Sequence, residues 1–221
     1  MTQMISIDRD AIQVLGFSWF GSLVNAVKGM TSTLQSILGE ELASSDKEPM
    51  ALAWRKELWR SYQNPYEHWP AHLVRALKNV CLVWGYRPPE ITEEEIIKAV
   101  RSWPYYPETD ALCKLGRRYQ VAAISQLDRP TLGLCLSSAP RPFDQLVTSD
   151  YSLTYKPHED YFRLLRTQLK LPEPKSLLVI SNNSQIDIEP SEKQGYQSVL
   201  ISNNGNNATL PTLKEVIHSL V

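Results

Sequence analysis

Hydrophobic positions along the chain follow two rhythms. Short, nearly continuous apolar or β-branched runs occupy residues 11–20 (AIQVLGFSWF), 119–125 (YQVAAIS), 143–148 (FDQLVT), 176–182 (SLLVISN) and 197–202 (QSVLIS). Such runs suit parallel strands buried on both faces. Between the later runs the spacing lengthens to that of amphipathic helices, over 108–118, 158–170, 189–195 and 211–220. Strand and helix alternate through the second half, which predicts a mostly parallel sheet with helices on its faces. Residues 30–107 hold no strand pattern and predict four helices instead, 31–42, 50–63, 66–85 and 92–102, separated by SSDKEP, QNP and YRPPEI. Thr92 followed by Glu95 is a capping box, and Pro88-Pro89 breaks a helix. The expected organisation is an α/β core built from 1–29 and 108–221, with an all-helical segment, 30–107, inserted after the first strand. ISNNGNNATLP at 201–211 is expected to be a loop.

Composition narrows the function classes. The chain has 221 residues, 43% of them hydrophobic, enough for a packed interior. Lys+Arg 23 against Asp+Glu 24 leaves a net charge of -1, so no basic surface asks for nucleic acid or anionic lipid. No apolar run approaches the roughly 20 residues of a membrane span, and MTQMISIDRD lacks the charged-then-apolar order of a secretory signal. A cytoplasmic protein with no nucleic-acid or membrane partner is expected. Cys81, Cys113 and Cys135 form no CxxC or Cys/His cluster, and His68, His72, His158 and His218 have no metal or triad spacing. Buried reduced thiols and neither a zinc site nor a disulfide framework are the expectation.

Candidate chemistry begins where the first run meets a tight Gly-Ser turn, Phe17-Ser18-Trp19-Phe20-Gly21-Ser22-Leu23. Many α/β enzymes place a nucleophile at such a turn, yet this one has no carboxylate, cysteine or histidine. Four further stretches complete the set: ALAWRKE with Trp54 and Arg55, VAAISQ with Ser125 and Gln126, FDQLVTSDYSLTYKPH with Lys156, and ISNNSQID with Ser181, Asn182, Asn183 and Asp187. In this order, with a helical block after the first, they resemble the motifs of the haloacid dehalogenase superfamily, and within it the metal-independent L-2-haloacid dehalogenase branch with a helical cap. The first family motif is Phe-Asp-x-x-Gly-Thr-Leu, so Ser18 stands where the family has its nucleophilic aspartate. The resemblance implies a Rossmann-like α/β core with a mostly parallel sheet and an inserted all-helical cap. It also implies a site in which Arg55 faces the substrate and Lys156 lies near Ser18. The fourth motif needs one extra residue, leaving open whether Asn182 or Asn183 faces the pocket.

The same resemblance argues against the family's two best-known chemistries. Covalent attack needs the missing carboxylate. Mg²⁺ needs an acidic pair, of which only Asp187 remains, so no metal and no cofactor is expected. What survives is a cluster of donors, Arg55, Ser125 and Lys156 with the Ser18 hydroxyl, suited to a carboxylate or polarised carbonyl. Trp19, Phe20, Ser22, Trp54, Trp59, Gln126, Ser181 and Asn183 are the expected substrate-binding positions, and Asp187 is expected to support Lys156. Each residue has a plainer alternative: Ser18 as a small strand end, Lys156 as a solvated lysine before Pro157, and Arg55 as part of a charged helix face with Lys56, Glu57 and Arg60. Three functions stay open at this point. The first is a repurposed biosynthetic enzyme catalysing isomerisation or cyclisation, pericyclic reactions such as a Diels-Alder closure included, of a small-molecule substrate. The second is a catalytically inactive binding protein. The third is an atypical hydrolase using Ser18. Family members are often dimers, so a homodimer is among the arrangements the resemblance allows.

Overall fold

Each expected run supplies a strand shorter than its apolar stretch: β1 Val14–Ser18, β2 Gln120–Ile124, β3 Gln145–Val147, β4 Leu177–Ser181 and β5 Gln197–Leu200. The computed structural model describes residues 7–115, 118–139, 142–203 and 207–221. Positions 116 and 117 of the expected helix and 204–206 of the expected loop lie outside them. The strands pair in parallel in the order β3-β2-β1-β4-β5. The chain thus builds outward from β1 in both directions, and the carboxyl edge opens a crevice between β1 and β4, where α/β sheets bind ligands. Alternation along the strands divides the interior in two. Leu15, Phe17, Val121, Ala123, Leu178 and Ile180 join the larger core, while Val14, Ala122, Ile124, Leu177 and Val179 pack with Tyr161, Phe162 and Leu165 on the opposite face.

Between β1 and β2 the chain runs through four helices, α1 Ala26–Leu38, α2 Lys47–Ser61, α3 Trp69–Val83 and α4 Glu93–Arg101. They form the helical cap. The Thr92–Glu95 capping box is present with both reciprocal bonds. Helix α1 begins five residues before the expected start because Asn25 caps it, accepting the Lys28 N–H at 3.0 Å. The stretch between β1 and α1 is a turn in which the Leu23 and Val24 N–H groups donate to the Trp19 carbonyl. Gly21 there has φ +85°, and an added Cβ would lie 2.6 Å from Asn182 Oδ1, so both backbone and space require glycine.

The expected helix 108–118 is a 3₁₀ segment, Pro107–Leu115. Its start is tied to the loop after β1: the Tyr106 N–H and the Thr109 hydroxyl both donate to the Leu23 carbonyl. The remaining helices are α5 Arg129–Cys135, α6 Ser149–Ser152, α7 Glu159–Gln168, α8 Glu189–Lys193 and α9 Leu213–Leu220. Cys81 and Cys135 are buried, and Cys113, expected to be buried, is exposed; the tight 3₁₀ winding turns it outward while Leu112 and Leu115 face in. Among the described residues no helix is long and apolar enough to cross a membrane.

One close approach fixes the cap. Gly29 of α1 lies under the Trp103 ring, where an added Cβ would come within 2.2 Å of Cγ, and the Trp103 indole donates to Thr33 Oγ1 at 3.0 Å. Gly29→Ala is expected to destabilise by about 1–3 kcal/mol through overpacking. A melting temperature equal to that of the unmodified chain would contradict this packing.

Candidate active site between cap and core

Three chain segments meet at the carboxyl edge of β1. Ser18 ends that strand, Lys156 follows α6 and precedes Pro157 across a cis peptide bond, and Asp187 sits in a single π-helical turn, Ser184–Ile188, after β4. The Lys156 ammonium donates to Asp187 Oδ1 at 2.6 Å and to Ser18 Oγ at 3.1 Å. Ser18 Oγ in turn donates to Asp187 Oδ2 at 3.0 Å, and Ser181 Oγ donates to the same oxygen at 2.7 Å. All four residues are buried. One positive and one negative charge therefore cancel inside the protein, as a buried pair requires. Ser18 uses its proton on the carboxylate and a lone pair on the ammonium. Held as an ammonium, Lys156 has no free electron pair with which to activate that hydroxyl.

Around this centre the backbone is clamped by side chains. The Gln126 amide bonds Lys156 twice, Nε2 donating to its carbonyl at 3.2 Å and Oε1 accepting its N–H at 2.9 Å. Lys156 is thus positioned by the residue the sequence placed in a substrate role. Ser125 Oγ accepts the Leu127 N–H, and Ser22 Oγ accepts the Asn182 N–H. Ser181 Oγ also accepts the Asn183 N–H, at 3.1 Å. Ser22, Ser125 and Ser181 are accordingly buried supports behind the site, and none lines the cavity above it.

That cavity has a volume of about 150 Å³, the size of one that holds benzene. Ser18, Gln126, Lys156 and Asp187 form its polar floor, together with Asn182 and Asn183. Both asparagines line it, and the Asn183 amide oxygen is already committed to the Ile186 N–H. Phe20, Met30, Leu58, Trp59, Trp69 and Trp103 supply an apolar wall. Phe20 stacks on Trp69 with centroids 5.4 Å apart. Arg55 stands in the same wall with its guanidinium 4.9 Å from the Trp59 ring centroid. Partial burial lowers its pKa from the ordinary arginine value, yet a guanidinium stays charged. Among the described residues it forms no salt bridge.

Besides Ser22, Ser125 and Ser181, two expected pocket aromatics face elsewhere. Trp19 is packed in the core, edge-on to Tyr105 and Phe143. Trp54 is also fully buried, its indole donating to the Leu73 carbonyl at 3.1 Å. Strand neighbours point to opposite faces and helix neighbours turn by about 100°, so adjacency to Ser18 and Arg55 did not carry these rings into the cavity. The residues that do enter beside Arg55 are Leu58, Trp59 and Tyr62, spaced at i+3, i+4 and i+7. Trp69, Trp103 and Met30 come from segments that no motif marked, and Ile186 lies within ISNNSQID without having been singled out there.

The residues present do not fit a magnesium ion. Both oxygens of Asp187 are taken by Lys156, Ser18 and Ser181, and positions 18 and 20 carry no carboxylate. Among the described residues no group of three His, Cys, Asp or Glu side chains is placed to hold a metal.

The sheet order, the cap after the first strand and the buried lysine–aspartate pair define an α/β protein of the haloacid dehalogenase-like fold. No protein-family model matches the sequence, and no curated protein matches it. Solved structures do. The defluorinating L-2-haloacid dehalogenase Rha0230 superposes with a TM-score of 0.82 at 16% identity, over 95% of each chain. The L-2-haloacid dehalogenase of Xanthobacter autotrophicus, with chloropropionic acid covalently bound, gives 0.74 at 20% identity over 86% of this chain and 77% of that one. At such identities the likeness carries the fold.

Proposed function

We propose that this chain is an enzyme that has given up covalent catalysis and holds a small apolar molecule, bearing a carboxylate or carbonyl, between cap and core for a non-hydrolytic isomerisation or ring closure. One observation carries the reading. The place of a nucleophilic carboxylate is filled by a serine whose hydroxyl is bonded on both sides, while the cavity above it stays open with an arginine that has no salt-bridge partner among the described residues. A second carboxylate at position 18 would put two anions on one ammonium and draw Arg55 away from a ligand. A hydroxyl leaves the floor neutral and leaves Arg55 to the substrate. Lys156 then serves to fix Ser18 rather than to bind the anion, because Asp187 already neutralises it. For ring closure, holding the substrate in its reactive conformer is worth up to roughly 7–11 kcal/mol in favourable cases, and aromatic walls with one charged anchor suit that task.

Thermal denaturation with a panel of small apolar carboxylic acids tests this reading. A fitting acid at 100-fold its Kd is expected to add about 2.7 kcal/mol of stability. That corresponds to about 5–10 °C for a chain of this size. The shift should vanish in Arg55→Ala and persist in Ser18→Ala. No shift with any acid would leave a binding protein of another specificity. An acyl-serine at Ser18 detected by mass spectrometry, or chloride release from 2-chloropropionate, would replace the reading by a hydrolase or a dehalogenase.

A further inference from the structure

Tyr62 ends the cavity face of α2, seven residues after Arg55, and lines the same cavity. It is only 8% exposed. Its ring is held in place by Tyr155, stacked with centroids 4.3 Å apart, and by His72, edge-on at 6.0 Å. Its hydroxyl accepts the Trp69 indole N–H at 2.8 Å. An indole nitrogen only donates, so this bond consumes a lone pair and leaves the tyrosine proton unspent. No group among the described residues accepts it. Buried tyrosine hydroxyls ordinarily find an acceptor, and here both members of the pair stand in the wall of a cavity that can hold one. Burial also raises the phenol's pKa far above its ordinary value, so the proton stays in place at neutral pH.

We propose that Tyr62 is a catalytic hydrogen-bond donor that touches the substrate, polarising a neutral carbonyl oxygen while Arg55 holds the carboxylate of the same molecule. This rests on the reading of the cavity as a small-acid site and adds the substrate class. Seven residues of α-helix rise about 10.5 Å, so the two side chains leave one helix face from backbone positions about two turns apart. They suit an oxo acid whose carbonyl is several carbons from its carboxylate. An α-oxo acid, with its two groups on adjacent carbons, spans too short a distance. The Trp69 indole strengthens the donor, because a hydroxyl that accepts one bond gives a stronger one in turn.

Calorimetric titration of the full chain with 5-oxohexanoate and with its isostere 5-methylhexanoate tests the assignment. An unmatched buried donor costs the methyl acid about 1–3 kcal/mol, so the oxo acid should bind about 5- to 150-fold more tightly. Tyr62→Phe should remove that preference by weakening only the oxo acid. The variant also leaves the Trp69 N–H without its acceptor and can fold poorly, so a second readout uses the unsubstituted sequence. With carbon-13 at Cζ of Tyr62 alone, 5-oxohexanoate should move the resonance and 5-methylhexanoate should leave it unmoved. Equal affinities for the two acids in the unmodified chain, or a preference that survives in Tyr62→Phe, would overturn the role of Tyr62 while binding that still depends on Arg55 upholds the cavity reading. Absence of binding by both acids, or binding indifferent to Arg55→Ala, would overturn the cavity reading and this assignment with it.

Discussion

Asp187→Ala is expected to cost about 3–5 kcal/mol of folding stability, the range seen when one member of a buried ion pair is removed. The variant leaves the Lys156 ammonium in a site where it is 2% exposed, with only the Ser18 hydroxyl and a long 3.5 Å contact to the Ile124 carbonyl. It also strips Ser18 and Ser181 of the acceptor their protons share. Folded domains have only about 5–15 kcal/mol in reserve, so the loss consumes a large share of the stability. Chemical denaturation measures the loss, and a change below about 1 kcal/mol would mean that the pair is not buried as described. The double variant Lys156→Met with Asp187→Leu should recover part of the stability, because apolar side chains of similar volume remove both charge desolvation costs while Ser18 and Ser181 still lack their acceptor.

Arg55→Ala is expected to lower turnover of the substrate that the acid panel identifies by about 10²–10³-fold, the scale for loss of one preorganised charged or oxyanion-holding donor. The guanidinium stacks on Trp59 and has no competing carboxylate among the described residues, so nothing nearby can take over its role. Ser18→Ala should cost less than about tenfold, since a hydroxyl bonded to both Lys156 and Asp187 adjusts the floor without reacting. Steady-state kinetics of the two variants side by side separates the roles. A reversed order, with Ser18→Ala inactive and Arg55→Ala near normal, would point to chemistry at the serine.

Much of this arrangement was legible in the residues. Ser18, Lys156 and Asp187 lie more than a hundred positions apart at the extreme, and it was the order of motifs resembling the haloacid dehalogenase superfamily that placed them together; parallel strands then deliver β1 and β4 to one edge. Arg55 was legible through the Trp-Arg pair of the same resemblance, whereas the helix face that carries Leu58, Trp59 and Tyr62 beside it emerged only from the structure. What the sequence hid was direction. Trp19 and Trp54 have the right neighbours and the wrong azimuth, and Ser22, Ser125 and Ser181 turn their hydroxyls to backbone N–H groups that only the folded loops reveal. Tyr62 was discoverable from the i+7 spacing to Arg55, but its unspent proton depends on Trp69, which reaches it from the next helix. Helix α5 went unread although Asp128 caps it, accepting the Thr131 N–H at 2.9 Å, with Pro130 in its first turn.

Tyr155 and Lys156 are consecutive residues with allegiances to different parts of the protein. The Tyr155 hydroxyl donates to the Glu67 carbonyl at 2.6 Å and its ring lies on Tyr62, both on the helical side, whereas Lys156 is anchored to Gln126 and Asp187 in the core. A single peptide link therefore joins a residue held by the roof to one held by the floor. If the roof swings far enough to admit a ligand, the stack and the Glu67 bond must part first, or the pull passes straight into the ion pair.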